Sequence, residues 1–214
     1  MNNTNALARL KSAAKKIGIE LSDNKYESLL SYLALFQKWN KAYNLSAVRN
    51  PDEMLSRHII DSLSVVPYFE DGENYIDVGT GGGLPGIVLA ICYPDKKFTL
   101  LDSNGKKTRF LFQVKIELNL DNVTVVNDRV EAYQPPEKFI GVVSRAFASL
   151  ADMTNGCAHL LADGGHMLAM KGVYPEQELS EMAKVYKVIR SHELVVPECD
   201  GQRHLLIIQP SVTN

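Results

Sequence analysis

Apolar residues in the first third of the chain recur at the spacing of an amphipathic helix. A first predicted helix carries them at Ala6, Leu7, Leu10, Ala13, Ala14 and Ile17, and a second at Tyr26, Leu29, Leu30, Leu33, Phe36 and Trp39. Gly18 is suited to end the first helix, and Ser22 or Asp23 to cap the second. A third helix or a pair of turns is predicted at 57–69, so residues 1–70 are predicted to form a helical cap.

The pattern changes near residue 74, where short apolar runs alternate with helix-length stretches. The runs lie at 75–78, 97–101, 123–126, 139–143, 166–170 and 203–208, and the longer stretches at 84–92, 106–118 and 149–161. Such alternation implies crossover connections, so residues 71–214 are predicted to form a doubly wound, mostly parallel α/β sheet. A turn signal at 197–201 also predicts a hairpin of 187–196 with 203–208, which would put an antiparallel strand at one edge.

Composition and cysteine usage are those of an ordinary soluble globular protein. Hydrophobic residues make up 45% of the chain and charged residues 22%. The three cysteines, Cys92, Cys157 and Cys199, lack the spacing of a zinc or redox site, so free thiols and no metal are expected. The chain shows neither a signal-peptide pattern nor the roughly 20 apolar residues of a membrane span. These features predict a cytoplasmic protein without membrane contact.

The charge is distributed unevenly along the chain. The net charge is −2, but residues 1–60 hold nine Lys and Arg against five Asp and Glu. The first segment is therefore basic and the remainder acidic. A basic segment could face the phosphates of a nucleic acid, although a solvated helical surface would look the same.

The strongest chemical signal is the glycine-rich segment Gly79-Thr-Gly-Gly-Gly-Leu-Pro-Gly86, which directly follows a predicted buried strand. Glycines at the carboxyl end of a strand let a ligand approach the backbone, because no Cβ stands in the way. Pro85 suits the first turn of a following helix. Free N–H groups at the start of that helix would favour an anionic group of the ligand.

Asp102 ends the second predicted strand of this region and lies 23 residues beyond Gly79. That is close to the roughly 20-residue spacing of an acid that binds ribose hydroxyls, so the two features together indicate an adenosine ligand. Two alternatives stay open: the glycines only make a turn, or 81–86 is a nicotinamide dinucleotide fingerprint. Asp77 favours a methyltransferase, in which an acid at this place commonly borders the amino end of the ligand.

Four segments together resemble a known family, the bacterial glucose-inhibited-division-B proteins. They are Asn44-Leu-Ser-Ala-Val48, Arg57-His-Ile-Ile-Asp-Ser-Leu63, Asp77-Val-Gly-Thr-Gly-Gly-Gly-Leu-Pro-Gly86 and Ser144-Arg-Ala-Phe-Ala148. The resemblance covers nearly the whole chain. It implies a class I, Rossmann-like enzyme that uses S-adenosylmethionine, without a metal, to methylate a guanine N7 of 16S ribosomal RNA. Its partner would be the small ribosomal subunit.

The resemblance also implies roles for individual residues. Those expected at the cofactor are Gly79, Gly81, Leu84, Asp102, Val130, Glu131 and Arg145, with Asp128 as a further candidate. Val130 and Glu131 would border the adenine. Arg145 would lie where cofactor and substrate meet.

Methylation of guanine N7 needs no general base, because this nitrogen carries a lone pair and no proton. No catalytic dyad is therefore predicted. Arg145 is expected on guanine O6, a phosphate or the cofactor, the alternative being a structural ion pair behind the sheet. Lys171 is expected either at a substrate phosphate or as a solvated surface lysine.

Two pairs of residues have both a structural and a functional interpretation. His58 and Asp61 share a helical face, and we favour the interpretation that they pin the cap to the sheet rather than line a cleft. Trp39 and Tyr43 could stack on a base, but an aromatic on an apolar helix face usually belongs to the core.

Other functions remain compatible with the sequence. A methyltransferase acting on a small molecule or protein would share the same sheet, and a nicotinamide-dependent oxidoreductase or a non-catalytic nucleotide-binding module is a less favoured class. If RNA is the substrate, cations of the basic first segment are expected to matter, namely Lys11, Lys15, Lys16 and Lys41. A monomer is expected.

Overall fold

The structure, a computed structural model, describes residues 3–69 and 72–211. Within these ranges seven strands form one sheet in the order β3-β2-β1-β4-β5-β7-β6. The strands are β1 (Asn74–Val78), β2 (Lys97–Leu101), β3 (Val123–Val126), β4 (Phe139–Ser144), β5 (Leu161–Lys171), β6 (Tyr186–Glu193) and β7 (His204–Pro210). The predicted doubly wound, mostly parallel α/β sheet is confirmed.

The helices follow the predicted pattern with shifted boundaries. They are α1 (Asn3–Ile17), α2 (Asp23–Tyr43), α3 (Pro51–Met54), α4 (Asp61–Leu63), α5 (Gly86–Cys92), α6 (Gly105–Glu117), α7 (Leu150–Cys157) and α8 (Glu176–Glu181). A π-helical turn, Leu55–Ile60, joins α3 to α4. The third predicted helix was placed six residues too late, because Asn50 caps Pro51 by accepting a hydrogen bond from the Asp52 N–H.

The predicted hairpin is confirmed, and it lies at one edge of the sheet, where β6 pairs antiparallel with β7. β7 runs antiparallel to both of its neighbours and lies between β5 and β6. The edge strand is β6, which therefore runs in the same direction as β5. Insertion between two strands satisfies the hydrogen-bonding groups of β7 on both sides, which suits its nearly continuous apolar sequence.

Register places the functional loops at one edge of the sheet. Val78 pairs with Leu101 on the neighbouring strand, and Ser144 pairs with Ala169. The carboxyl ends of β1, β2, β4 and β5 are therefore level, and the loops that follow them open onto the same surface. We call this surface the ligand end of the sheet.

The helical cap packs directly onto the sheet. Leu10 and Phe36 from the first two helices belong to the same buried cluster as Tyr75 and Leu100 from the strands. The hydroxyl of Tyr32 donates to the carbonyl of Gly82, 2.6 Å away, in the glycine loop. The predicted boundary near residue 70 thus separates the helical part of the sequence from the part that forms the sheet. The hydrophobic core nevertheless contains residues from both parts. That these are two units stays a prediction.

Candidate functional site

A cavity of about 440 Å³ opens at the ligand end, over the ends of β1, β2 and β3, and we call it the nucleotide cavity. Its walls are Val78, Gly79, Leu101, Asp102, Ser103, Lys107, Asp128, Arg129, Val130, Glu131, Ala146 and Phe147. Of the residues predicted at the cofactor, the structure brings Gly79, Asp102, Val130 and Glu131 together here, with Asp128 beside them. The volume is within the usual range for a small-molecule site.

Asp102 is the buried acid of this cavity. One carboxylate oxygen accepts the Gly81 N–H at 2.8 Å, and the other accepts the Asn104 N–H at 2.8 Å. Each oxygen keeps a further lone pair, because a carboxylate accepts about four hydrogen bonds. Asp102 can therefore bind hydroxyl groups of a ligand while it fixes the glycine loop.

Gly81 and Leu84 do not line this cavity. Gly81 has a positive φ of 63° and contributes its N–H to Asp102, so it acts through the loop. Leu84 is buried below the loop, with 4% of its surface exposed. A direct contact between either residue and the cofactor stays a prediction.

Free N–H groups were expected at the start of the helix that follows the glycines, but most amides of the glycine loop are already bonded. The amides of Gly79, Thr80, Gly81, Gly83, Leu84 and Gly86 all donate within the protein, to carbonyls of Leu101 or Thr80 or to carboxylates of Asp77 or Asp102. The loop is tightly folded, and α5 begins only at Gly86. These six amides are therefore not free to bind an anionic group of a ligand.

Asp77 lies beneath the loop instead of in the cavity. Its Oδ2 accepts hydrogen bonds from the Thr80 hydroxyl at 2.7 Å and from the Gly86 N–H at 2.8 Å. A Cβ on Gly86 would lie only 2.8 Å from this oxygen and 2.2 Å from Leu100. Complete burial raises the pKa of the Asp77 carboxyl to about 7, although the hydrogen bonds from Thr80 and Gly86 lower it.

Lys107 is a cavity residue that the sequence reasoning missed. Lys107 lies in the first turn of α6, and its Nζ is 3.8 Å from Asp102 Oδ2. The available signal was its position five residues after the acid, at the start of a helix that begins at the ligand end.

A second cavity of about 310 Å³, which we call the basic cleft, adjoins the first across the segment 145–147. It is lined by Val48, Arg57, His58, Asp61, Arg145, Met170, Lys171, Gly172, Leu194, Arg203 and His204. Arg145 therefore faces this cleft, while its neighbours Ala146 and Phe147 face the nucleotide cavity. The sequence reasoning missed Arg57 and Arg203 as cleft residues.

Asp61 holds two arginines at the wall of the basic cleft. Its Oδ2 accepts from Arg145 at 3.0 Å and its Oδ1 from Arg203 at 3.0 Å. The Asp61 side chain is 6% exposed, whereas those of the arginines are 30% and 27% exposed. Asp61 thus joins the cap to loops of the sheet, and it lines the cleft as well. The ion pair of Arg145 lies at the ligand end rather than behind the sheet.

His58 is a buried, neutral residue of the same cleft. Its Nε2 lies 2.9 Å from the Ser46 hydroxyl, and its ring packs 5.2 Å from that of Phe36. Burial, assisted by the nearby positive charge of Arg145, lowers the pKa of His58 to about 4. This contact ties the loop after α2 to the π-helical turn, and both lie within the cap. Of the two residues expected to pin the cap to the sheet, Asp61 therefore makes the contact that does so.

Lys171 is paired within the protein. Its Nζ lies 2.8 Å from a carboxylate oxygen of Glu178, and its side chain is 12% exposed. The solvated-lysine alternative is therefore wrong. The contact with a substrate phosphate stays a prediction, and it would compete with Glu178.

Trp39 and Tyr43 form a stacked pair at the end of α2, with ring centroids 5.0 Å apart. Trp39 is half-buried and also contacts Phe110, 5.6 Å away, so the core interpretation describes it in part. Tyr43 is 46% exposed and lies on the surface.

Within 3–69 and 72–211, no group of three or more His, Cys, Asp or Glu side chains is arranged to hold a metal ion. In the same ranges, no helix combines the length and the apolar character needed to cross a membrane.

The buried carboxyl of Asp77 makes the stability of the protein depend on pH. Its pKa is about 7 in the folded protein and 3.8 in a model peptide, so the folded state retains a proton that the unfolded chain loses. The free energy of unfolding should therefore fall as the pH rises from 4 to 7, by at most about 4 kcal/mol from this group. In Asp77→Asn this component should be absent. Urea unfolding at several pH values measures how the free energy of unfolding depends on pH in the unmodified protein and in Asp77→Asn. The same pH dependence in both proteins would contradict a raised pKa of Asp77.

Comparison with known proteins places the chain among methyltransferases. Residues 25–206 match the family model GidB, described as rRNA small subunit methyltransferase G. A Pseudomonas aeruginosa protein named ribosomal RNA small subunit methyltransferase G is 57% identical over 200 residues, or 94% of each chain. A Cellvibrio japonicus protein of the same name is 56% identical, over 98% of this chain and 99% of its own.

Solved structures of distant sequence share the fold. A SAM-dependent methyltransferase from Geobacter sulfurreducens, in complex with S-adenosyl-L-homocysteine, superposes with a TM-score of 0.54 at 14% identity, covering 83% of this chain and 98% of that one. The glycopeptide N-methyltransferase MtfA gives a TM-score of 0.60 at 12% identity, covering 74% and 98%. The match to the family model, together with these close relatives, decides against the nicotinamide-dependent class. This chain belongs to the GidB family, that of rRNA small subunit methyltransferase G.

Proposed function

We propose that this protein transfers a methyl group from S-adenosylmethionine to N7 of one guanine in 16S ribosomal RNA. The observation that carries the proposal is the pair of cavities at the ligand end of a methyltransferase sheet. A nucleotide cavity with a buried acid lies on one side of the segment 145–147, and a cleft with three arginines lies on the other. The nucleotide cavity thus suits a cofactor, and the adjacent basic cleft suits a polyanionic substrate.

The nucleotide cavity fits S-adenosylmethionine in shape and in polarity. Asp102 offers lone pairs to a ribose, and the turn with Val130 and Glu131 provides an apolar and a polar edge for adenine. Gly79 has no room for a side chain, because a Cβ there would lie 2.7 Å from the Cβ of Ala146. When bound, the cofactor supplies an electrophilic methyl group on a positively charged sulfur.

For this reaction the protein has to position the guanine base, and it does not have to transfer a proton. Guanine N7 carries an in-plane lone pair and no proton, so no side chain has to act as a general base. The walls of the cleft must hold the base with N7 about 3–3.5 Å from the methyl group and exclude water. His58 is neutral and tied to Ser46, which agrees with a role in the framework of the cleft.

Arg145 is best suited to position the base. A guanidinium on N7 would block the lone pair and oppose the positive charge of the product. Since Asp61 binds one side of the guanidinium, its other N–H groups can donate to guanine O6 or to a phosphate. Asp61 also holds this side chain in place, which reduces the entropy lost when substrate binds.

We also propose that the protein works as a monomer in the cytoplasm, with the small ribosomal subunit as its partner. Residues of one chain line both cavities, which supports a monomer.

The proposal is tested by methylation of isolated small-subunit RNA and of assembled small subunits with radiolabelled S-adenosylmethionine. Label should appear at N7 of a single guanine, located by nuclease digestion and mass spectrometry. A catalytically inert preparation heated above its unfolding transition serves as the blank. A folded protein that binds the cofactor product S-adenosylhomocysteine but labels neither RNA would reject the proposed substrate.

Replacement of Asp102 tests the nucleotide cavity. Asp102→Asn retains an acceptor for the Gly81 N–H but removes the charge, and hydrogen bonds to charged groups contribute roughly 1.5–3 kcal/mol. The affinity for S-adenosylhomocysteine should fall about 10- to 150-fold in calorimetry. Asp95→Asn, an exposed acid at the opposite end of the sheet, should bind as the unmodified protein does. If Asp102→Asn and Asp95→Asn bind S-adenosylhomocysteine equally well, Asp102 does not belong to the cofactor site.

Arg145 gives a separate test of the basic cleft. In Arg145→Ala, the catalytic efficiency kcat/KM for RNA should fall about 10- to 150-fold, because a charged hydrogen bond to the substrate is lost. The affinity for S-adenosylhomocysteine should change less than threefold. Arg190→Ala, an exposed arginine on β6, is the matched control and should retain full efficiency. Loss of cofactor binding in Arg145→Ala would assign the residue to the cofactor instead.

A further inference from the structure

A basic and aromatic surface outside both cavities is left unexplained by the reaction itself. It is formed by the end of α2 and the start of α6, and we call it the α2–α6 surface. Its members are Lys38, Trp39, Lys41, Tyr43, Lys106 and Arg109.

Helix direction places this surface at the ligand end. α2 starts at the opposite end, where the Lys25 ammonium donates to the carbonyl of Cys92, the last residue of α5. Further along α2, the Phe36 ring lies against Gly82 of the glycine loop. α6 runs the other way and begins three residues after Asp102. The last turns of α2 and the first turns of α6 therefore meet beside the two cavities.

The charge of these segments contrasts with that of the chain. Residues 28–51 and 103–116 hold seven Lys and Arg and no Asp or Glu, whereas the other segments hold 16 basic and 25 acidic residues. The protein is acidic as a whole, so affinity for a polyanion must come from a local patch. Such a patch is present next to the site of methyl transfer.

Four of these cations are available to a ligand. Lys38, Lys41, Lys106 and Arg109 are exposed, and none lies within 4.0 Å of a carboxylate oxygen in the part of the chain that the structure describes. The remaining three serve the fold: Arg49 bonds to Asn40 and Asn44, Lys107 neighbours Asp102, and Lys115 donates to Val123.

Aromatic rings accompany the cations. Tyr43, 46% exposed, stacks on Trp39, which in turn rests on the buried ring of Phe110. An exposed ring that stacks on a second ring, in a region that also carries unpaired cations, suits the binding of unpaired nucleotides, because bases stack on rings while phosphates contact cations.

We propose that the α2–α6 surface binds the single-stranded RNA that flanks the methylated guanine. Tyr43 stacks on a neighbouring base, and Lys106 and Arg109 contact its phosphates. This inference rests on the proposed function, and it assigns substrate affinity to residues that take no part in methyl transfer.

The structure also changes which lysines are expected to matter. Lys11 is paired with Asp23 at 2.7 Å. Lys15 and Lys16 end α1, next to Gly18, which faces the segment Cys92–Lys96 at the end of the sheet opposite the cavities. Of the four lysines expected from the sequence, Lys41 alone belongs to the α2–α6 surface.

The test compares two charge-matched double variants of the full chain, Lys106→Gln/Arg109→Gln and Lys15→Gln/Lys16→Gln. The first should raise KM for 16S ribosomal RNA at least tenfold. It should also lower the steepness of binding against log salt by about 1.4, because each phosphate contact to a single strand contributes roughly 0.7. Its kcat and its affinity for S-adenosylhomocysteine should stay within twofold of the unmodified protein. The second variant should match the unmodified protein throughout.

The aromatic ring has its own pair of variants. Tyr43→Ala should raise KM by about five- to 150-fold, as expected for the loss of one stacked base, while Tyr43→Phe should retain the original KM. Thermal unfolding of both variants reports on the fold, since Trp39 also contacts this ring.

Crosslinking identifies the partner directly. A benzophenone amino acid placed at Tyr43 should crosslink to nucleotides near the modified guanine in assembled small subunits. Crosslinks confined to a ribosomal protein would overturn the proposal in favour of a protein partner. An unchanged KM in Lys106→Gln/Arg109→Gln and Tyr43→Ala, with active unmodified protein, would also overturn it. If the unmodified protein methylates no RNA, the proposed function itself fails, and this inference falls with it.

Discussion

The ligand end depends on how two carboxylates fix the glycine loop. Asp77 binds it from below through Thr80 and Gly86, and Asp102 binds it from the side through Gly81. These bonds use the backbone donors that a looser loop would offer to a ligand. The loop is consequently rigid, and Asp102 is held at the wall of the nucleotide cavity with lone pairs to spare. A side chain on Gly86 would collide with Asp77, so glycine and acid require each other.

Asp61 has the same role for the basic cleft that Asp102 has for the nucleotide cavity. A buried carboxylate between Arg145 and Arg203 joins the cap to two loops of the sheet. A buried ion pair of this kind contributes little net stability, but it fixes the direction in which the arginines point. Structural and functional interpretations of Asp61 are therefore compatible. The residue that pins the cap also orients the side chain proposed to position the base.

The function proposed here divides the work among three neighbouring surfaces. The nucleotide cavity holds the methyl donor, the basic cleft holds the guanine, and the α2–α6 surface holds the RNA on either side of it. Only the first two need close geometric control, and they are built around buried acids. The third is exposed and relies on charge and stacking, which tolerate mobility. Under this proposal an acidic protein can act on a polyanion, since two segments beside the proposed substrate site carry basic residues and no acidic ones.

The sequence alone determined the alternation of strands and helices, the glycine loop and the acid Asp102, because each of these is encoded by neighbouring residues with a characteristic period or spacing. Tertiary structure decided what depends on distant residues. Asp61 and Arg203 are 142 positions apart, so no local sequence pattern could predict the hydrogen bond between them. Packing likewise decides three further features. The amides of the glycine loop bond within the protein, β7 lies between β5 and β6, and Lys15 lies far from the ligand end. Packing brings together groups that are far apart in the chain, and it sets apart lysines that the sequence had grouped in one basic segment.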